Sequence, residues 1–199
     1  MAGEAATTLH DYQLAMLHSM NTSAPAQAAE LRARIGVTRI DTAIAEKRWF
    51  FAEPTNKFRS IAEYVAAWGT PISERVERWG EREVGYARWD LSFWPGLQIE
   101  FMEVHRGRSL FTELIRRPGM PQPSIGSVAD LTPWSCTLGE LQSCGLGPVV
   151  NVDGWGAAGV FALTAPDPDT GCPRHHFAFI DWGLLQSVEP APDWYTDEQ

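Results

Sequence analysis

The sequence is poor in lysine and has no excess of positive charge. Only Lys47 and Lys57 are lysines, and 16 basic residues stand against 25 acidic ones, giving a formal charge of −9. Nucleic-acid-binding proteins concentrate basic residues on one surface to neutralise phosphates, and anionic lipid would repel a protein of this charge. We therefore expect neither a nucleic-acid nor a membrane partner, and the acidic balance favours a basic protein as partner.

Cysteine is also scarce, and long apolar runs are absent. The three cysteines, Cys136, Cys144 and Cys172, are odd in number and lack the regular spacing of a secreted disulfide scaffold. The first 13 residues lack the basic start and continuous apolar stretch of a signal peptide. No apolar run approaches the ~18 residues that a membrane-spanning helix needs. These absences predict a cytoplasmic protein.

Common catalytic and cofactor motifs are missing as well. The sequence contains no GxxxxGK[ST] and no GxSxG. Gly154, Gly156 and Gly159 do spell GxGxxG, but the residues that follow resemble a strand, whereas a dinucleotide site needs a helix there. We interpret these glycines as turn residues and expect no cofactor.

A metal site has little support from the ligand spacing. Cys172 and His175 form one short pair, whereas Cys136 and Cys144 lie eight residues apart and complete no four-ligand pattern. The residues therefore predict no metal and identify no catalytic group.

The first third of the chain is predicted to be helical. Residues 8–20 form one apolar stripe, and a second helix starts at Pro25 and ends at Gly36. Residues 38–51 fit either a helix or the opening of a strand, and Glu53-Pro54 is expected to end the segment in both cases.

The rest of the chain contains two similar segments. Ser60 with Glu63, and Thr137 with Glu140, each form a capping box that opens a short helix followed by Gly/Pro residues. Each helix precedes a run of strand-like segments, at 83–89, 91–94, 97–104 and 111–116 after the first, and at 149–152, 158–164, 176–181 and 184–188 after the second. The interpretations are a tandem helix-plus-meander repeat or two helices capped independently.

This pattern predicts an α+β fold: N-terminal helices, then antiparallel sheet with two short helices packed on it. The expected divisions are an N-terminal helical region (1–57), a first helix-plus-strands unit (58–117) and a second such unit (118–199), together forming one compact body. The Pro/Gly/Ser-rich segment 118–127 is the natural join between the two units.

Tryptophan is unusually frequent, with nine in 199 residues. Trp94 precedes Pro95-Gly96 and Trp155 lies between two glycines, so these two, with Trp182 and Trp194, are the candidates for exposed tryptophans. Tryptophan often dominates the binding energy of protein interfaces, and acidic side chains could pair with a basic partner. The predicted partner-binding residues are Trp94, Trp155, Trp182, Glu100, Glu103, Asp153 and Asp181.

The layout of segments 60–71 and 137–148, with the strands after them, resembles the tandem repeat of beta-lactamase inhibitor proteins. More loosely, it is similar to bacterial immunity proteins that neutralise toxins. The resemblance implies a concave sheet lined with aromatic side chains, here on the strands of 86–101 and 161–179. It also implies loops that enter the partner's active site, here at Trp94 and Trp155. The helical first third has no equivalent in the secreted inhibitor.

These observations favour a non-enzymatic protein-binding module, an immunity or inhibitor protein that acts on a basic toxin or enzyme by occlusion. One alternative is a small-molecule-binding or hydrolytic enzyme that uses His175 or His176 with Cys144 or Asp181. Another alternative is a subunit of a phage or secretion assembly, for which a flat apolar edge would be the sign.

Overall fold

The structure is a computed structural model that describes residues 7–56, 60–104, 109–167 and 170–195. In chain order the α-helices are α1 (Leu9–Ser23), α2 (Pro25–Ile35), α3 (Arg39–Asn56), α4 (Ile61–Trp68) and α5 (Leu138–Ser143). The strands are β1 (Ser73–Trp79), β2 (Arg82–Asp90), β3 (Leu97–Val104), β4 (Ser109–Arg116), β5 (Val149–Trp155), β6 (Ala158–Pro166), β7 (Pro173–Asp181) and β8 (Leu184–Pro190). The predicted α+β class is confirmed. Within the described residues, no helix combines the length and apolar character needed to cross a bilayer.

Hydroxyl residues at the helix starts explain why these segments become helical. The side chains of Ser60 and Thr137 accept hydrogen bonds from the backbone N–H of Glu63 and Glu140, as the capping boxes predict. Thr38 accepts in the same way from the backbone N–H of Asp41 before α3. At Thr38 and Thr137 the acidic side chain also accepts from the backbone N–H of the hydroxyl residue. Each cap satisfies backbone N–H groups that the first helical turn leaves unpaired, a contribution of about 1 kcal/mol per helix.

The strands form two four-stranded antiparallel sheets, each a simple meander, with the orders β1-β2-β3-β4 and β5-β6-β7-β8. The described part of the chain divides into two compact units. The first lies within Met1–Asn21 and Pro25–Pro118, and the second within Thr22–Ala24 and Gly119–Gln199. A short capped helix precedes each sheet, so the helix-plus-meander arrangement occurs twice.

The core of the first unit is aromatic. Residues directly opposite one another in a sheet share a face, which places Ala87, Trp89, Ile99 and Phe101 together. Phe101 is fully buried there, and its ring centroid lies 4.1 Å from that of Tyr64 on α4. The indole N–H of Trp89 donates to the carbonyl of Gly69, which satisfies its polar group inside the core.

The core of the second unit is aliphatic. Leu141 of α5 is fully buried against one face of the sheet β5–β8. The buried members of this core are Leu131, Cys136, Leu141, Leu163, Ala165, Ala178, Ile180 and Leu185. Cys136 therefore acts as a small apolar residue in this core.

Two local predictions are wrong, and one strand was not predicted. The charged segment Ser73–Trp79 is a strand that the hydropathy pattern did not indicate, because it is an edge strand exposed along most of its length. Residues 92–94 form bends and Leu91 has no regular structure, so the strand predicted at 91–94 does not form. The helix α3 continues beyond Pro54 to Asn56; a proline this near a helix end removes only one backbone hydrogen bond, so the last turn can still form.

Candidate partner-binding surface

Trp94 does not lie at an exposed tip, and the expectation that it would is wrong. Only 8% of it is exposed. The bend that carries it is fixed to the N-terminal helices, because the N–H of Phe93 donates to the side-chain oxygen of Gln13 at 2.9 Å and Arg34 donates to the carbonyl of Phe93 at 3.0 Å. These contacts hold the bend against the first unit and keep the indole from projecting into solvent.

Glu100 is also buried, and its charge is already neutralised within the first unit. Its carboxylate accepts a hydrogen bond from Arg75 at 2.5 Å and another from Arg88 on the neighbouring strand. The guanidinium of Arg75 lies 3.8 Å above the centre of the Tyr86 ring. Burial raises the pKa of Glu100, but the hydrogen bonds from the two arginines outweigh it and hold the pKa below its ordinary value.

Glu103 lies on the opposite face of the same strand and has a structural contact. Its side chain accepts a hydrogen bond at 3.1 Å from the backbone N–H of Ile61, the first residue of α4. A carboxylate at this position satisfies an unpaired N–H and complements the positive end of the helix. Of the three predicted site residues in the first unit, none therefore presents a freely exposed binding group.

Glu100 and its cross-strand neighbour Glu113 are expected to affect stability with opposite signs. Glu100→Gln should lower the free energy of unfolding by about 1–3 kcal/mol at about pH 7, because two half-buried arginines lose the carboxylate that they share, and Arg75 keeps its ion pair with Glu77 at 2.8 Å. Glu113 stands directly opposite Glu100, and partial burial together with that neighbouring charge raises its pKa. The rest of the Glu113 side chain is open to solvent, which screens the repulsion, so Glu113→Gln should raise stability by only a few tenths of a kcal/mol.

Urea unfolding of both variants at about pH 7 and about pH 3 checks this prediction. A lowered folded pKa stabilises above the unfolded pKa, so the contribution of Glu100 should fade as the pH falls below about 4.5. The raised pKa of Glu113 has the reverse sign: its cost is present once the carboxylate ionises and disappears in acid. Two variants that shift stability in the same direction at neutral pH would contradict the assignment.

The other four predicted site residues lie together at one end of the second sheet. Asp153 and Trp155 stand at the end of β5, and Trp155 pairs with Ala158, which in turn pairs with Asp181. The N–H of Trp182 donates to the carbonyl of Ala157 at 2.8 Å, which joins the two hairpin turns. Asp181 is buried and Trp182 is half-buried with a left-handed backbone (φ 51°), while Asp153 and Trp155 are exposed. Asp153 and Trp155 are therefore the most accessible of the seven predicted residues.

A β-bulge determines where Trp155 points. Asn151 stands opposite Phe161 and Asp153 stands opposite Val160, so Val152 is an extra residue in the ladder. In a regular ladder with no bulge, strict alternation from Val150 through Val152 would send Asp153 and Trp155 to the other face. The bulge instead places Val150, Asp153 and Trp155 on the face away from the aliphatic core.

We use the name "β5 edge" for Val150, Val152, Asp153 and Trp155. All four are exposed, with 90% of Trp155 and 54% of Val150 accessible to solvent. The β5 edge thus combines aliphatic side chains, one carboxylate and an almost fully exposed indole along a single strand. This composition is typical of a protein-binding surface and atypical of a solvated strand.

Of the three glycines of the GxGxxG pattern, Gly156 lies in a turn, as predicted, whereas Gly154 and Gly159 lie within the strands β5 and β6. Gly156 has φ 62° in the two-residue turn between β5 and β6. A Cβ at Gly159 would lie 2.8 Å from the ring of Phe161 on the same strand, so a larger residue there would displace that ring. The pattern leads into the strand β6.

The excess negative charge lies in the second unit. The sequence of the first unit contains fifteen basic and fifteen acidic residues, which cancel. The sequence of the second unit contains ten acidic residues and one basic residue, Arg174, and so carries the entire formal charge of −9. The β5 edge therefore belongs to a strongly acidic unit, which attracts cationic partners.

Trp79 is 53% exposed at the tip of the β1–β2 hairpin, although it was not among the predicted binding residues. The sequence contains a signal for Trp79, because the same Trp-Gly pair occurs at the end of the first strand in both helix-plus-meander segments. Trp79 and Trp155 each end the first strand of a sheet and are followed by a glycine with φ 62°, Gly80 and Gly156. Each hairpin therefore has an exposed tryptophan at its tip, one in the neutral unit and one in the acidic unit.

The groups named for the enzyme alternative have separate surroundings. The thiol of Cys144 donates to the carbonyl of Leu141 at 3.0 Å, and His175 contacts the Thr164 hydroxyl at 3.1 Å. His176 is buried beside Leu163, and that burial lowers its pKa, with the nearby Arg174 adding to the effect. Among the described residues, no three His, Cys, Asp or Glu side chains cluster as metal ligands would.

Comparison with known proteins gives little. No protein-family model matches the chain, and no curated protein matches it. Among solved structures, the chain is similar to a Streptococcus mutans protein described as a "putative beta-lactamase inhibitor protein". The identity is 13% and the TM-score 0.27, over 70% of this chain and 88% of that one. A similarity this low establishes neither fold nor function. The fold is assigned from the strand order of this chain.

Proposed function

We propose that this chain is a non-enzymatic protein-binding module, an inhibitor or immunity protein that neutralises a basic toxin or enzyme in the cytoplasm by covering its functional surface. The observation that supports this most directly is the β5 edge, where Trp155 is 90% exposed next to exposed valines. Large aromatic side chains on a protein surface are preferred anchors of protein interfaces, since they bury much area with little loss of conformational freedom.

The distribution of charge supports a basic partner. Since all of the net charge of −9 lies in the second unit, a cationic protein would be attracted to the unit that carries the β5 edge. Occlusion needs shape and charge complementarity and no reactive group. An inhibitor of this kind requires no catalytic residue, which agrees with the lack of recognisable catalytic motifs in the sequence.

Affinity capture tests the proposal. The tagged full-length protein, incubated with a lysate of its own cells, should form a stoichiometric complex with a basic protein and inhibit that protein's activity. Because surface charges are screened by salt, the association rate should fall several-fold between about 50 and 500 mM salt, while a complex with a buried aromatic anchor persists. Recovery of the protein alone, monomeric and with no effect on any captured activity, would contradict the proposal.

A further inference from the structure

The four edge strands of the two sheets differ in how well they are protected. Edge strands expose unpaired backbone groups, and natural proteins usually protect them with charges, proline or covering segments. β1 carries four charged residues among seven, β4 carries Glu113 and Arg116, and β8 ends at Pro190. β5 has the sequence VVNVDGW, with Asp153 as its one charged residue and no proline. β5 is therefore the edge least protected by charge and proline, and the bulge at Val152 is the feature that interrupts it.

The accessible side of β5 offers backbone hydrogen bonds as well as apolar side chains. Within the described residues, β5 pairs with β6 on one side and with no strand on the other. In an antiparallel pair, the residues in non-hydrogen-bonded positions direct their N–H and C=O groups outward. Every residue of β5 after Val149 is exposed, so these outward groups lie at the surface. Two backbone groups of β5 already have side-chain partners: the carbonyl of Asp153 accepts from the Asn151 amide at 3.3 Å, and the N–H of Gly154 donates to the Asp153 carboxylate at 2.7 Å.

We propose that β5 is a docking strand, to which an extended basic segment of the partner adds as a fifth strand of the second sheet. This inference rests on the proposed function and specifies how that partner is held. Backbone hydrogen bonds along β5 supply affinity, as in other cases of β-strand addition. Alternate side chains of the added segment then contact Val150 and Trp155. Its lysine or arginine residues pair with Asp153 and are attracted by the net negative charge of the second unit.

Charge favours such a segment over a second copy of this chain. Two β5 strands could pair with each other, but each would bring a unit with ten acidic residues and one basic residue. Like charges of that size repel, whereas a cationic strand is attracted.

A synthetic peptide provides a direct test. The probe has the same length as β5, seven residues, with alternating valine and lysine and blocked ends. Its control is the same peptide with N-methylated backbone amides, which keeps every side chain and charge but cannot donate backbone hydrogen bonds. Amide hydrogen exchange of the full-length protein should show protection within 149–155 when the probe is present. The methylated control should bind at least about tenfold more weakly than the probe.

Two protein variants separate strand addition from simple charge attraction. Val150→Asp adds a negative charge, so binding driven by charge alone would become tighter. Docking on β5 should instead weaken about tenfold, because an apolar contact is lost and aspartate disfavours a strand. Val76→Asp on β1, where the valine is 70% exposed, is the matched control and should not weaken binding. Near-identical melting temperatures of both variants would show that Val150→Asp remains folded.

Several results would overturn the inference: no binding of the probe, equal binding of the methylated peptide, protection outside β5, or concentration-dependent protection of β5 in the free protein, which would indicate a second copy. Failure of the proposed function has a different readout, because the capture experiment would then yield no polypeptide partner at all. If a partner is captured and Val150→Asp binds it as tightly as the original protein, the docking strand is wrong and the binding function stands.

Discussion

Phe101→Ala is expected to lower the free energy of unfolding by about 3–5 kcal/mol, a large fraction of the stability of a domain this size. Phe101 is fully buried and is surrounded by aromatic side chains. Its ring centroid lies 4.1 Å from that of Tyr64, 5.5 Å from Trp68 and 5.6 Å from Trp89. Removing the ring leaves a cavity between an α-helix and a sheet, and large aromatic neighbours cannot collapse into it without leaving their rotamers.

Urea unfolding followed by tryptophan fluorescence measures this loss. Phe111→Ala is the matched control, since Phe111 lies on the next strand of the same sheet and is 54% exposed. It should change stability by less than about 1 kcal/mol, because little buried area is lost. Similar losses for the two variants would mean that the core of the first unit is not centred on Phe101.

Helix starts and the second meander could be predicted from the sequence because local chemistry determines them. Ser60 and Thr137 cap their helices through contacts with residues three positions away. All four strands predicted after the second helix lie within β5 to β8. Alternating hydropathy identifies such strands, since one face of each packs on the aliphatic core.

Tertiary contacts explain what the sequence did not show. Trp94 adjoins Pro95-Gly96, which suggested an exposed tip, but Gln13 and Arg34 bind the backbone of Phe93 and hold this bend in place. These contacts join residues more than fifty positions apart, and no local pattern reports them. β1 was missed because a charged edge strand lacks the hydropathy signal of a half-buried strand.

The candidate site was predictable in part. Flanking glycines correctly indicated that Trp155 lies exposed beside a tight turn. The bulge at Val152 could not be inferred, because an extra residue in a ladder is defined by its pairing with β6 and not by its own sequence. Glu100 and Asp181 were chosen for their charge, and burial makes both unsuitable as freely exposed contacts.

Trp155→Ala is expected to weaken binding of the captured partner by about 2 kcal/mol or more, close to thirtyfold in the dissociation constant. The indole is 90% exposed in the free protein, so burying it against a partner would remove a large apolar area from water. The same exposure means that its contacts within the fold are few. The free energy of unfolding should therefore change by less than about 0.5 kcal/mol, and reduced binding would reflect the interface alone.

Trp79→Ala is the control that the repeat provides. Trp79 holds the equivalent hairpin position in the first unit, but that unit has no net charge, and its indole N–H already donates to Glu77 at 3.3 Å. Partner affinity, measured by calorimetry on both purified variants, should stay within about threefold of the original for Trp79→Ala. Equal losses for both variants would show that hairpin tips contribute without regard to charge. An unchanged affinity for Trp155→Ala would place the anchor of the interface elsewhere, because an indole this exposed cannot be buried by a partner without affecting the binding energy.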